Sequence, residues 1–197
     1  MSAMSKVEAV FCRSAPWRGF AGRVVLPWAL AGHELHGDGL EIGAGSGAMA
    51  EQLLDRTPAV RLAVLDVDPA MQQAASSRLR RFGNRVIAAS VGDATQLPYE
   101  DESFDFVVSW LMLHHTLQWE AVLAETHRVL RPGGRLIGYD LLDTAPARFI
   151  HKIDGSEHRL LSAPDLEATL ASNFGSTAVT TALKGLVGRF SAARDAH

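Results

Sequence analysis

The sequence predicts an α/β fold: a doubly wound, mostly parallel sheet of seven strands, ending in an antiparallel C-terminal hairpin, with helices on both faces. Three observations carry this. From Asp38 onward, short apolar runs alternate with longer amphipathic patterns. A glycine-rich turn, Gly43-Ala44-Gly45-Ser46-Gly47, stands between the first run and the first such pattern. Near the C-terminus two strand-like runs meet at Lys184-Gly185. Strands that alternate with helices pair in parallel, because each crossover returns the chain to the same edge.

The elements follow in order. Up to about His36 the chain reads as helical, with a kink or restart at Pro27, which lacks an N–H and clashes with the preceding turn, and a stop at Gly32. Five strands are expected at 39–43, 60–66, 85–90, 104–110 and 134–140. Their aliphatic residues do not alternate strictly with polar ones, as suits strands buried on both faces. The segments 48–56, 69–82 and 119–130 repeat apolar residues three and four apart and read as helices. Ser162-Ala163-Pro164 with Glu167 marks a capped helix start, running to Asn173 or Gly175. The runs 176–183 and 186–193, with Lys184-Gly185 between them, read as a hairpin with a tight turn. Residues 1–37 are expected to form a helical cap and 38–197 the main domain, together one compact unit.

Composition narrows the function. A chain of 197 residues, 47% hydrophobic and 21% charged, matches an ordinary globular domain and buries a core without staples. Nineteen Lys+Arg against 22 Asp+Glu leave a formal charge of −3, which disfavours nucleic acid as a partner. The single cysteine, Cys12, excludes an internal disulfide and a cysteine-based zinc site and suits a reducing compartment. No apolar run reaches the ~18 residues of a membrane helix. The first ten residues lack the pattern of a signal peptide. A cytoplasmic protein with no membrane partner is expected, its oligomeric state unspecified.

Two features point to an adenosine-containing ligand. The glycines of LEIGAGSG (40–47) allow a sharp turn and close approach of a ligand to the main chain, and the following helix offers free N–H groups. Asp66 ends the second strand, where a carboxylate takes hydrogen bonds from both hydroxyls of a ribose; Asp68 competes for that role but is better placed to cap the helix opened by Pro69. These features alone fit a nicotinamide dinucleotide and S-adenosylmethionine equally.

Four blocks in order, LEIGAGSG, LDVDPAM, GDATQLPYEDESFDFVVSWLMLHH and RVLRPGGRLIGYD, cover roughly residues 38–142. In them the chain resembles the class I S-adenosylmethionine-dependent methyltransferases of the small-molecule type. The resemblance implies a Rossmann-like fold, S-adenosylmethionine as cofactor and methyl transfer to a small-molecule acceptor. It also implies roles. Gly43, Ala44, Gly45 and Gly47 form the loop under the methionine and ribose, and Glu41 lies near the methionine amino group. Asp66 holds the ribose, with Val67 beside the adenine. Asp93 accepts from the adenine amine and Ala94 offers its amide to the ring. Ser109 and Trp110 lie under the methionine end. A reductase using a nicotinamide, and a cofactor-binding module without catalysis, are the competing readings.

Methyl transfer from a sulfonium demands alignment and dryness more than acid–base help, unless the acceptor must lose a proton. The candidates for a base are His114, His115, Tyr139 and Asp140. His151 and His158 are expected in an irregular segment near the crevice mouth, either as neighbours of the acceptor or as exposed loop histidines. No metal-binding spacing is present. Asp105 and Pro132-Gly133-Gly134 read as structural, serving a strand start and a turn. Cys12 reads as a packing residue, and the segment with Arg13, Trp17, Arg18 and Phe20 as a lid over the acceptor or a helix packed on the core. Neither the acceptor nor the atom methylated is named by the sequence.

Overall fold

The structure, a computed structural model, describes residues 19–154 and 158–196. Cys12, Arg13, Trp17 and Arg18 lie outside the described residues. A π-helical turn (Ala21–Val25) runs into α1 (Leu26–Leu30). Pro27 sits in the first turn of α1, where its missing N–H costs nothing. The helix stops one residue before the expected glycine: Ala31 is left-handed at φ 51°, with Gly32 following at φ 82°.

The rest alternates as expected: β1 (Gly37–Ile42), α2 (Ala48–Arg56), β2 (Val60–Asp66), α3 (Pro69–Leu79), β3 (Val86–Val91), β4 (Phe104–Trp110), α4 (Trp119–Val129), β5 (Leu130–Leu141), α5 (Ala145–Asp154), α6 (Ala163–Asn173), β6 (Ser176–Ala182) and β7 (Val187–Ala193). The seven strands form one sheet in the order β3-β2-β1-β4-β5-β7-β6. All pairings are parallel except those of β7 with β5 and β6. Chain order reverses between β1 and β4, so the crevice for a ligand opens at the carboxyl ends of those strands.

Two apolar layers cover the sheet. On one face α1 and α2 pack Leu26, Ala29, Leu53 and Leu54 against Leu62, Val64, Phe106 and Val108. On the other, α4 and α6 pack Trp119, Val122, Leu166 and Leu170 against Val107, Leu136 and Phe190. Room for the largest rings comes from glycine: a Cβ on Gly39 would lie 2.0 Å from Phe106, and one on Gly138 2.5 Å from Phe190. Among the described residues no helix is long and apolar enough to cross a membrane.

Four differences from the sequence reading go beyond a shift of one or two residues. The α3 helix ends at Leu79, and residues 80–85 tighten into a 3₁₀ turn broken by Gly83 at φ 56°. That turn aims Arg85 at the carbonyls of Leu54 (2.9 Å), Thr57 (2.6 Å) and Val60 (3.0 Å), so one guanidinium caps the end of α2. The β5 strand already begins at Leu130, with an irregular register across Pro132-Gly133-Gly134. The hairpin connection is a 3₁₀ turn, Leu183–Gly185, with positive φ at all three residues, rather than a two-residue turn.

The fourth difference is largest. Residues 145–154 form a helix where an irregular segment was expected. The cue was present: Thr144-Ala145-Pro146 repeats the chemistry of Ser162-Ala163-Pro164, and the Thr144 carbonyl accepts from Arg148 at 2.9 Å. The helix buries His151, which is 1% exposed and not a surface histidine.

Candidate functional site

The predicted cofactor residues converge on the carboxyl ends of β1 to β4. Ile42 of β1 lies in register with Leu65 of β2 and Ser109 of β4, so Glu41, Asp66 and Trp110 end on adjacent strands. The chain then turns through Gly43, Gly45 and Gly47, all at positive φ (66°, 52° and 73°), a conformation that costs any other residue about 1–2 kcal/mol. At Gly43 space matters as well: a Cβ would lie 2.1 Å from Cγ of Met112. Ser46, behind the loop, accepts from Arg78 of α3 at 3.1 Å.

Asp66 anchors the loop. Its Oδ2 accepts from the Gly45 amide at 2.7 Å and its Oδ1 from the Asp68 amide at 2.9 Å. Each oxygen keeps a second lone pair, so the carboxylate can still accept from the two hydroxyls of a ribose. Burial raises its pKa above the ordinary carboxylate range. Asp68 settles the other way: its side chain accepts from Ala70 at 2.8 Å and caps α3.

Glu41 is 1% exposed, and its Oε2 has no hydrogen-bond partner. Burial first, and the Asp66 charge second, push its pKa up to about 8. The Trp110 indole N–H lies close enough to favour the charged form, yet falls short of hydrogen-bond geometry, and Nε1 is itself unpartnered. The Ser109 hydroxyl is also buried and unpartnered. Among the described residues, these three unpartnered groups at the strand ends form a cradle suited to a cation and a hydrogen-bonding ligand.

In the loop after β3, Asp93 uses Oδ1 in a turn with Thr95, accepting from its amide and its hydroxyl at 2.8 Å each. Ala94 beside it is fully buried, and Val67 is partly buried after β2.

The other side of the crevice is built from β4 and β5. Leu111 takes φ 52° and donates to the Tyr139 carbonyl at 2.9 Å, turning the chain into a 3₁₀ turn at Leu113–His115. Asp140 lies fully buried beneath that turn. It accepts from the Leu113 and Leu141 amides, both at 2.7 Å, and from Nδ1 of His114. Asp140, one of the four candidates for a base, thereby holds the turn in place. The rings of His114 and His115 lie 4.0 Å apart; His151 of α5 is 5.0 Å from His114, and His158 stacks on His151 at 4.2 Å. Among the described residues no group of His, Cys, Asp and Glu has the geometry to hold a metal.

Tyr139 points to the opposite face of the sheet. Its ring lies 5.5 Å from Trp28 of α1 and 5.6 Å from Trp110, so three aromatic rings link the cap helix to the Glu41 cradle. Sequence reasoning missed Trp28. It gave Asp105 correctly as structural: the carboxylate accepts from the Asp38 amide at 2.7 Å and pairs with Arg131 at 2.8 Å.

Comparison with known proteins agrees with this geometry. A family model described as a methyltransferase domain matches residues 40–138, half of the chain. The demethylmenaquinone methyltransferase of Tropheryma whipplei (strain Twist) is 34% identical over 140 residues, covering 71% of this chain and 53% of that protein. The malonyl-[acyl-carrier protein] O-methyltransferase of Laribacter hongkongensis (strain HLHK9) is 38% identical over 129 residues, 60% of this chain and 43% of that protein. The chain thus spans about half the length of these curated relatives. Among solved structures, a SAM-dependent methyltransferase from Thermotoga maritima shares the fold, with TM-score 0.75 at 21% identity over 96% of this chain and 97% of that one. With half its length matched by the family model and the glycine loop, Glu41 and Asp66 inside that half, the chain belongs to the methyltransferase-domain family.

Proposed function

We propose that this chain is an S-adenosylmethionine-dependent methyltransferase acting on a small molecule. One observation carries the reading furthest: Glu41, buried, short of a hydrogen-bond partner and held at about 8, sits beside a glycine loop with no cation paired to it among the described residues. A ligand with an ammonium group next to an adenosine meets that need. A pyrophosphate placed against Glu41 and Asp66 would be repelled.

When bound, S-adenosylmethionine supplies an electrophilic methyl group on a sulfonium. The chain supplies the rest. Glu41 receives the ammonium, and the main chain of Gly43, Ala44, Gly45 and Gly47 lets the ligand lie close. Asp66 takes the ribose hydroxyls, with Val67 beside the base, and Asp93 and Ala94 read the adenine edge. Ser109 and Trp110 close the methionine end. The helical segment before β1 acts as a cap whose Trp28 extends the aromatic wall of Trp110 and Tyr139. Such a wall keeps water from the reacting centre and fixes the acceptor in line. The charge balance and the likeness to quinone and malonyl-carrier methyltransferases support a metabolite in the cytoplasm over nucleic acid.

The test is a thermal shift with S-adenosylhomocysteine against NADH. At about 100 times its dissociation constant, S-adenosylhomocysteine adds about 2.7 kcal/mol of stability. Stabilisation by NADH in its place overturns the reading. A screen of metabolite classes with labelled cofactor then identifies the acceptor.

A further inference from the structure

We infer that the cleft between the end of α1 and the β6–β7 edge of the sheet is a binding site for a phosphate group, held by Arg189 and His33 and drawn in by the charge of Arg135, and that its occupation clamps the cap helix to β7. None of the residues lining this cleft belongs to the cofactor crevice, so the inference stands independently of the methyltransferase reading.

Strand alternation builds the floor of the cleft. Arg189 and Ser191 of β7 stand in register with Thr180 and Ala178 of β6, and with Tyr139 and Ile137 of β5, so this row of side chains shares the cap face of the sheet. The end of α1 and His33 after it form the opposite wall. Small side chains at Ala29, Ala31 and Ala178 leave a volume of about 110 Å³ between wall and floor. That space suits one tetrahedral oxyanion or a few waters. Arg189 donates to the Trp28 carbonyl at 2.8 Å, which fixes the guanidinium and leaves most of its five N–H donors for a ligand. Thr180 and Ser191 add hydroxyl donors from the floor.

The charges around the cleft are of one sign. Burial first, then the charges of Arg135 and Arg189, hold the His33 imidazole below its usual pKa range. Arg135 lies on the cap face of β5, two places before Ile137. Among the described residues neither Arg135 nor Arg189 pairs with a carboxylate, whereas Arg61, Arg81, Arg128, Arg159 and Arg194 all do. Glu34, next to His33 in the chain, is exposed and forms no ion pair with the three basic groups among the described residues. In a chain of net charge −3, this is a local positive potential that a dianion neutralises. The planar guanidinium fork matches the oxygens of a phosphate, and a dianion beside His33 favours the imidazolium, which adds a second charge-assisted bond. One ligand then bridges β7 to the segment that ends the cap. Because the same Arg189 carries the Trp28 carbonyl, fixing the guanidinium also fixes α1.

The test uses the whole chain without cofactor, with sodium phosphate, glycerol 3-phosphate and sodium chloride as probes at constant ionic strength. In NMR titrations both phosphates shift the His33 imidazole and Arg189 guanidinium signals, and the proton affinity of His33 rises about tenfold or more. Chloride does neither. Tighter binding of glycerol 3-phosphate identifies a phosphate group carried by a metabolite as the ligand, and tighter binding of inorganic phosphate identifies the free ion; either result supports the site. Phosphate also slows proteolytic cutting near residues 19–31 by about threefold or more, since a ligand bound only to the folded form stabilises it. Arg135→Gln and His33→Gln each weaken phosphate binding about threefold or more, and the double variant about tenfold or more. Circular dichroism certifies each variant as folded; where one fails, the wild-type His33 titration and the protection of the cap decide. Chloride acting as phosphate does, a folded double variant with wild-type phosphate affinity, or unchanged cutting of the cap in phosphate overturns the inference. Displacement of bound phosphate by S-adenosylhomocysteine puts the ion in the cofactor crevice and overturns it as well. The methyltransferase reading survives each of these results, because its own test is the binding of S-adenosylhomocysteine.

Discussion

The amide of Gly45 donates to Oδ2 of Asp66 at 2.7 Å, tying the glycine loop after β1 to the carboxyl end of β2. One carboxylate thereby shapes the loop and remains able to accept from a ligand with its second lone pairs. Substituting Asp66 by Ala removes both roles. The expected cost in S-adenosylhomocysteine binding is about 2–4 kcal/mol, for two charge-assisted hydrogen bonds. Isothermal calorimetry measures it, and unchanged affinity would remove Asp66 from the ribose.

Glu41 makes cofactor binding depend on pH. Its folded pKa of about 8 stands above the ordinary value of 4.5, so the folded state holds a proton that the unfolded state releases between those two values. The protein without ligand is therefore most stable against this term below about 4.5 and loses up to about 5 kcal/mol as pH rises through 8. An ammonium ligand favours the ionised form, so stabilisation by S-adenosylhomocysteine grows from pH 6 to pH 8. Glu41→Gln flattens that growth, raises the stability of the ligand-free protein above neutral pH and weakens binding. Thermal shifts across this range, with and without ligand, check all three.

Gly43 is fixed by two separate constraints. Its φ of 66° strains any side chain, and a Cβ would lie 2.1 Å from Met112. Gly43→Ala is expected to abolish measurable cofactor binding. Adding Met112→Ala restores the space but not the backbone conformation, so the double variant recovers only part of the affinity, with about 1–2 kcal/mol still missing. Full recovery would show that crowding alone matters.

The cap helix hangs on Arg189. Its guanidinium donates to the Trp28 carbonyl at 2.8 Å and lies 5.5 Å from the Trp28 ring centre. Arg189→Met keeps the stem but loses both contacts, at an expected cost of about 1–2 kcal/mol. Limited proteolysis should then cut near residues 19–31 before the sheet. Equal protection in the variant would mean that the apolar contacts of Leu26 and Ala29 alone hold the cap.

The β-α alternation, the glycine loop, Asp66 and the Asp68 cap were legible because each rests on local chemistry. Two strands, 60–66 and 104–110, and the helix 48–56 match their predicted bounds, since buried aliphatic runs and terminal charges mark where such elements stop. Long-range contact decided the rest. The end of α3 depends on Arg85 reaching carbonyls of residues 54, 57 and 60, contacts that no local pattern encodes. The sequence set Tyr139 and Asp140 side by side among the candidates for a base. The pleat of β5 sends them to opposite faces, Tyr139 toward Trp28 and Asp140 toward His114. His151 reads from sequence as part of an irregular segment, but α5 packs it against His114. The sequence by itself determined which strands exist and where the glycine turn falls, because turn chemistry and apolar periodicity act over a few residues. Only the tertiary structure decided which histidine faces which carboxylate, because that pairing joins residues 26 positions apart through the register of two parallel strands.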